Sequence, residues 1–186
     1  ISINYNHSSI YVEMSNILQE EGDTDKALEY LSKGRENFSS DQGIINAEIN
    51  LYIKLGRTAE LIVKITEAID SESNNDVYYA IRANCYQSMD MIEKAILDYN
   101  SALNINPENS AVLNNIASCY FTQTEPIIKK MNALNINQTS KYKAYKEQVH
   151  DLYRKALPHL KKYVYLNPDD ETNKRVLNEI SYKLEN

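Results

Sequence analysis

The sequence predicts an all-α chain, an α-solenoid of stacked antiparallel helix hairpins closed by a C-terminal capping helix. Three observations predict it. The first is a period of 34 residues. Ala95 steps back to Leu61 and Ala27, Tyr99 to Ile65 and Leu31, and Ala102 to Ala68 and Gly34, while Tyr86 steps back to Tyr52 and Leu18 and forward to Tyr120. Such a period marks tandem units, none of which can hide its apolar face without the next. The second is helical spacing inside each unit: Ile92, Ala95, Ile96, Tyr99, Ala102 and Leu103 fall on one face. The third is a shortage of turn formers. Four Gly and four Pro in 186 residues are too few for an all-β design with many tight turns.

In chain order, residues 1–7 form a leader and residues 8–41, 42–75 and 76–109 form three units. In the third, Tyr79, Ala83 and Tyr86 make one apolar stripe of the first helix, and Tyr78, Cys85 and Met89 another. A helix apolar on two faces is sandwiched between neighbours. Asp90 and Glu93 predict a capping pair for the second helix, and Pro107 stops that helix. Gly22 and Gly56 hold the turn position of the first two units, where a left-handed backbone is cheap for glycine. Cys85 and Cys119, also 34 apart, are expected to be buried thiols.

These units resemble tetratricopeptide repeats. The family pattern of large, small and aromatic residues in the first helix, then Ala, aromatic, Ala and Pro, is met by Tyr79, Ala83, Tyr86, Ala95, Tyr99, Ala102 and Pro107. The outer units depart from it. Ser39 and Ser73 stand in place of the Pro, Leu61 in place of the small residue, and Glu48 where an apolar residue is usual. The resemblance implies a right-handed superhelix with a concave face.

The fourth unit, residues 110–170, begins on pattern with Leu113, Ile116, Ala117 and Tyr120, but its second-helix signature waits until Ala156, Leu160 and Pro168. An inserted helical extension, about 121–149, accounts for the delay. Ile127, Ile128, Met131 and Leu134 continue one stripe, and Tyr142, Tyr145, Val149 and Leu152 lead into Ala156. Both helices are then longer by about 12–13 residues, a projection of roughly 18–20 Å. Pro126 is expected to kink the outgoing helix, and Thr139 or Ser140 to cap the returning one. Tyr163 stands where Ala is usual and is expected to splay the last hairpin. Elongated fourth hairpins of this kind resemble those of Bacteroidetes repeat proteins. Residues 171–186 form the capping helix, started by Asp169 or Asp170, with Val176, Leu177, Ile180 and Leu184 facing the stack.

No residue constellation suggests an enzyme, a cofactor or a metal site. His7, His150 and His159 are too scattered in sequence to pair as ligands, and the cysteines lack zinc spacing. Asp23 and Asp25 match part of a calcium loop without its other ligands, and fit a helix cap better. The net charge of −6 repels phosphate backbones and anionic membranes, so nucleic acid is not expected as a partner. No apolar run is long enough to span a bilayer. The chain opens at Ile1 rather than Met, which suggests a trimmed terminus and leaves a cytoplasmic or exported location equally open.

The expected partner is a protein or peptide. Asn16, Asn50 and Asn84 recur at the repeat period, with Ser118 next in line. By the family resemblance this position lines the concave groove, beside Asn46, Gln87, Asn114 and Asn115. An amide donates and accepts, so a row of them suits the backbone of an extended segment. The chaperone-binding members of the family use Lys and Arg beside such asparagines. Here those places hold Val12, Asn46, Val77, Ala80 and Ile81, so an acidic chaperone tail is not expected. The alternative role is a structural scaffold, or self-association through the elongated hairpin.

Overall fold

The computed structural model describes residues 8–185; the leader and Asn186 lie outside the described residues. Among the described residues the structure is helices and turns, without a strand. The helices are α1 (Ser9–Glu20), α2 (Thr24–Asn37), α3 (Gln42–Lys54), α4 (Thr58–Ser71), α5 (Asp76–Ser88), α6 (Ile92–Ile105), α7 (Ser110–Asn132), α8 (Thr139–Leu166) and α9 (Glu171–Glu185). The repeat governs their boundaries. Helices α2, α4 and α6 begin at residues 24, 58 and 92, and α3, α5 and α7 begin at 42, 76 and 110.

Local chemistry sets those boundaries. Asp41, Asn75 and Asn109, again 34 apart, each precede a helix and accept a hydrogen bond from a backbone N–H of its first turn. These caps satisfy donors that a helix start leaves orphaned. Asp23 caps α2 in the same way through Lys26 N, as expected, and Asp25 pairs with Arg57 instead.

The turns between the paired helices also repeat. The amide of Asp23 donates to Leu18 O, that of Arg57 to Tyr52 O and that of Met91 to Tyr86 O, all at 2.8–2.9 Å. This is the Schellman closure, which needs a left-handed residue just before the donor. Gly22 and Gly56 supply it at φ 83° and 68°, and in the third turn Asp90 does so at φ 58°. Asp90 therefore serves the turn. The residue directly before α6 is Met91, so the expected capping pair with Glu93 gives way to this geometry. An aspartate tolerates the left-handed region less well than glycine. Asp90→Gly is accordingly expected to stabilise the fold by about 0.5–1 kcal/mol, read from urea unfolding midpoints.

The chain divides into two compact units, residues 1–91 and 92–186. In the first, α1 packs on α2 and α3, α3 on α4 and α5, α2 on α3, and α4 on α5. Its core holds Ala27, Leu31, Ile45, Ile49, Tyr52, Leu61, Ile65, Ile81 and Cys85. Each large aliphatic side chain removed from water there is worth about 1.5–3 kcal/mol. Leu61, the bulky substitute for the usual small residue, is fully buried. Gly34 answers another bulky neighbour: a Cβ at that position would meet Tyr11 Cβ at 2.8 Å, so the smaller residue lets α1 approach.

Glu48 is buried too, with 2% of its surface exposed, and is held by Arg35 Nε at 2.6 Å. That pair explains a carboxylate where the pattern calls for an apolar side chain. A buried charge survives when it is paired and hydrogen-bonded.

In the second unit α7 packs on α6 and α8, and α8 on α9. Ala117, Val149, Tyr153, Ala156, Leu160 and Ile180 form its core, with Val176, Leu177 and Leu184 of α9 against it. Both arms of this hairpin are long, with 23 residues in α7 and 28 in α8. Helix α7 runs on through Pro126. Helix α8 starts behind Gln138 without a side-chain cap, Thr139 and Ser140 being its first residues. Gln138 Oε1 accepts instead from Asn135 N at 2.9 Å, closing the hairpin loop. Asp170 caps α9 through Asn173 N, and Tyr163 donates its hydroxyl to the same carboxylate at 2.8 Å. Tyr163 thus ties the end of α8 to the start of α9. The hydrogen bonds from Asn173, backbone then side chain, and from Tyr163 pull the Asp170 carboxyl down to about 2.

Candidate functional site

The site residues expected from the sequence divide between the two units. Five lie in the first: Asn16 on α1, Asn46 and Asn50 on α3, Asn84 and Gln87 on α5. The other three, Asn114, Asn115 and Ser118, lie on α7 in the second.

In the first unit, Asn16 and Asn50 are exposed and line one cleft of about 250 Å3 with Gln19, Ala47, Leu51 and Lys54. The repeat explains the placement. Helices α1 and α3 are first helices of successive hairpins and touch each other, so equivalent positions become neighbours. Gln19 and Lys54 sit three and four residues after the asparagines, one helical turn on and on the same side.

The cleft floor is already ordered. Lys54 Nζ donates to Gln19 Oε1 at 3.3 Å, and Gln19 Nε2 donates to Ser15 O at 3.3 Å. Gln19 is therefore held from both ends of its amide. Lys54 keeps further N–H donors, since an ammonium has three. Lys54 is absent from the residues expected from the sequence, although its i+4 spacing from Asn50 was a usable signal.

The remaining candidates are placed differently. Asn46 is exposed one turn before Asn50. Asn84 and Gln87 are half-buried and engaged within the chain. Asn114, Asn115 and Ser118 are half-buried on α7. Asn115 is engaged within the chain, and the Ser118 carbonyl accepts from Thr122 Oγ1 at 3.1 Å.

The titratable groups offer little chemistry. Burial pushes the Cys85 thiol up to about 12, with the Glu48 charge adding to it, and burial pushes Cys119 up to about 11. Both therefore stay protonated at neutral pH and are poor nucleophiles. His159 stacks on Tyr120 with ring centroids 6.4 Å apart, and burial lowers its pKa. His7 lies outside the described residues. Among the described residues no group of three or more His, Cys, Asp or Glu could hold a metal ion, and no helix is long and apolar enough to cross a membrane.

The tetratricopeptide repeat family matches the sequence at residues 8–34 and again at 77–109. The chain carries tetratricopeptide repeats. Outside the matches lie residues 1–7, the hairpin that holds the buried Glu48, the lengthened one built on α7 and α8, and α9. No curated protein matches this tetratricopeptide-repeat chain. Two solved structures share its fold. A protein of Bacteroides ovatus is 16% identical over 97% of this chain and 98% of its own, with a TM-score of 0.59. A TPR repeats protein of Bacteroides fragilis is 18% identical over 96% of this chain and 84% of its own, with a TM-score of 0.52. The Bacteroidetes resemblance thus holds for the fold. The two matched repeats support a role in protein–protein interaction.

Proposed function

We propose that the module binds an extended protein segment along the first helices of its first unit, with Asn16 and Asn50 gripping the segment's backbone. The observation that supports this most is the shared cleft: two exposed amides, one repeat apart, line it together with an ordered Gln19. Each amide can accept from a peptide N–H and donate to a peptide C=O. Lys54 beside them favours a carbonyl-rich or acidic residue at that point of the segment. Asn46 and the exposed Ile53 extend the same face along α3. Asn84 and Gln87 would join through the exposed remainder of their side chains. No group in the cleft calls for chemistry on the bound segment, so the proposed role is capture.

Selection of peptides from a displayed library on the full chain, followed by calorimetry, tests this reading. Asn16→Ala with Asn50→Ala removes up to four neutral hydrogen bonds. It is expected to weaken the selected peptide by about tenfold to a hundredfold with an unchanged melting temperature. Equal affinity in wild type and double variant would remove the cleft from consideration.

A further inference from the structure

The net charge of the chain hides a segregation. Residues 1–91 hold 7 Lys and Arg against 15 Asp and Glu, whereas residues 92–186 hold 13 against 11. The surplus cations concentrate at the end of the α7–α8 hairpin. Residues 126–146 contain five lysines and no carboxylate. Lys129, Lys130, Lys141 and Lys143 are exposed. Their counterparts in the first unit are largely neutralised: Lys26 by Asp23, Lys33 by Glu29, Arg57 by Asp25 and Glu60, and Lys64 by Glu60.

Helix stability explains only half of this cluster. Lys129 and Lys130 end α7, where cations favour the helix dipole. Lys141 and Lys143 open α8, where the dipole favours acids, and its first turn contains none. Those two lysines work against their own helix.

The same tip is apolar at its apex. Ile136, in the loop between α7 and α8, is 95% exposed, and Tyr142 is 45% exposed. Both line an open cleft of about 400 Å3 with Met131 and Leu134. Between Thr124 and Val149 no residue is buried, so the apex stands clear of the unit's own core.

From this juxtaposition of an apolar apex and the exposed Lys129, Lys130, Lys141 and Lys143 we infer that the hairpin tip docks on an anionic lipid surface, with Ile136 entering the headgroup layer. Charge complementarity selects the occupant. Few apolar side chains ringed by lysines suffice for reversible interfacial binding, while a stable protein interface needs on the order of 1,000 Å2 of complementary surface. The nearest carboxylates, Glu125 and Glu147, stand four residues from Lys129 and Lys143, roughly 6 Å along their helices. Glu147 is paired with Arg154, so the tip keeps a net positive charge. The surface lies wholly in the second unit and stands independently of the peptide cleft.

Sedimentation of the full chain with vesicles tests the inference. The expected result is partitioning onto phosphatidylcholine vesicles containing roughly a third phosphatidylserine, release at high salt, and no partitioning onto phosphatidylcholine alone. Ile136→Asp, and separately Lys141→Glu with Lys143→Glu, should each lower partitioning at least about tenfold, with unchanged circular-dichroism melting. Lys155→Glu with Lys161→Glu, further down the same helix, should change it by no more than about twofold. Failure of the wild-type chain to partition overturns the inference, as does partitioning that the tip variants retain. Capture of soluble heparin without capture of vesicles overturns it too. So does concentration-dependent self-association that Ile136→Asp abolishes while no vesicles are bound.

Discussion

Replacing Arg35 by alanine is expected to destabilise the first unit by about 3–5 kcal/mol. The reason is the partner left behind. Glu48 is almost wholly buried and Arg35 Nε is its ion-pair partner at 2.6 Å. Without the guanidinium the carboxylate must stay charged in an apolar surround, draw in water, or take up a proton, and each route costs stability. The cost belongs to the broken pair. Replacing both partners by apolar side chains of similar length, Arg35→Met with Glu48→Leu, is expected to leave stability within about 1 kcal/mol of the parent or to raise it. Urea unfolding of the two single variants and the double variant gives the coupling directly. Equal losses in Arg35→Ala and in the apolar double variant would show that packing, rather than charge pairing, holds α2 against α3.

Leu160→Ala is the second large loss, about 3–5 kcal/mol from the second unit. Leu160 is fully buried among Ala117, Tyr153, Ala156 and Ile180. Two of those neighbours are already alanines, with no longer side chain to swing into the void. Pro158, two residues earlier, leaves α8 one backbone hydrogen bond short at that turn. The turn therefore depends on packing more than its neighbours do. Calorimetry should show the loss; a cost under about 1 kcal/mol would mean that the hairpin collapses readily around the gap.

The fold was legible because the repeat imposes the same demand at each 34-residue step. Leu31 and Ile65, or Ala27 and Ala95, are fully buried at equivalent positions, so pattern alone places them. The length of α7 and α8 was legible for a related reason: their apolar stripes keep helical spacing while the second-helix signature is postponed. What escaped reading is whatever depends on a partner distant in sequence. Glu48 looked like a defect until Arg35, thirteen residues earlier, was brought beside it. Asp90 looked like a cap because Asp often is one, and only the positive φ shows it standing in for the glycines at 22 and 56. Of the candidate binding residues, Asn16 and Asn50 share a cleft, and Lys54 joins them. Asn84 and Gln87 are already engaged within the chain, which helical periodicity cannot foresee. The charge at the hairpin tip was concealed by averaging over the whole chain.

The two cysteines give each half of the molecule a reporter of its own. Cys85 lies in the core of the first unit and Cys119 on the buried side of α7 in the second. Both are free, concealed from solvent and protonated at neutral pH. An alkylating reagent therefore modifies either one only when its surroundings open. Peptide mapping of the labelled chain at successive times would time the breathing of each half separately, in the native sequence and without an inserted probe.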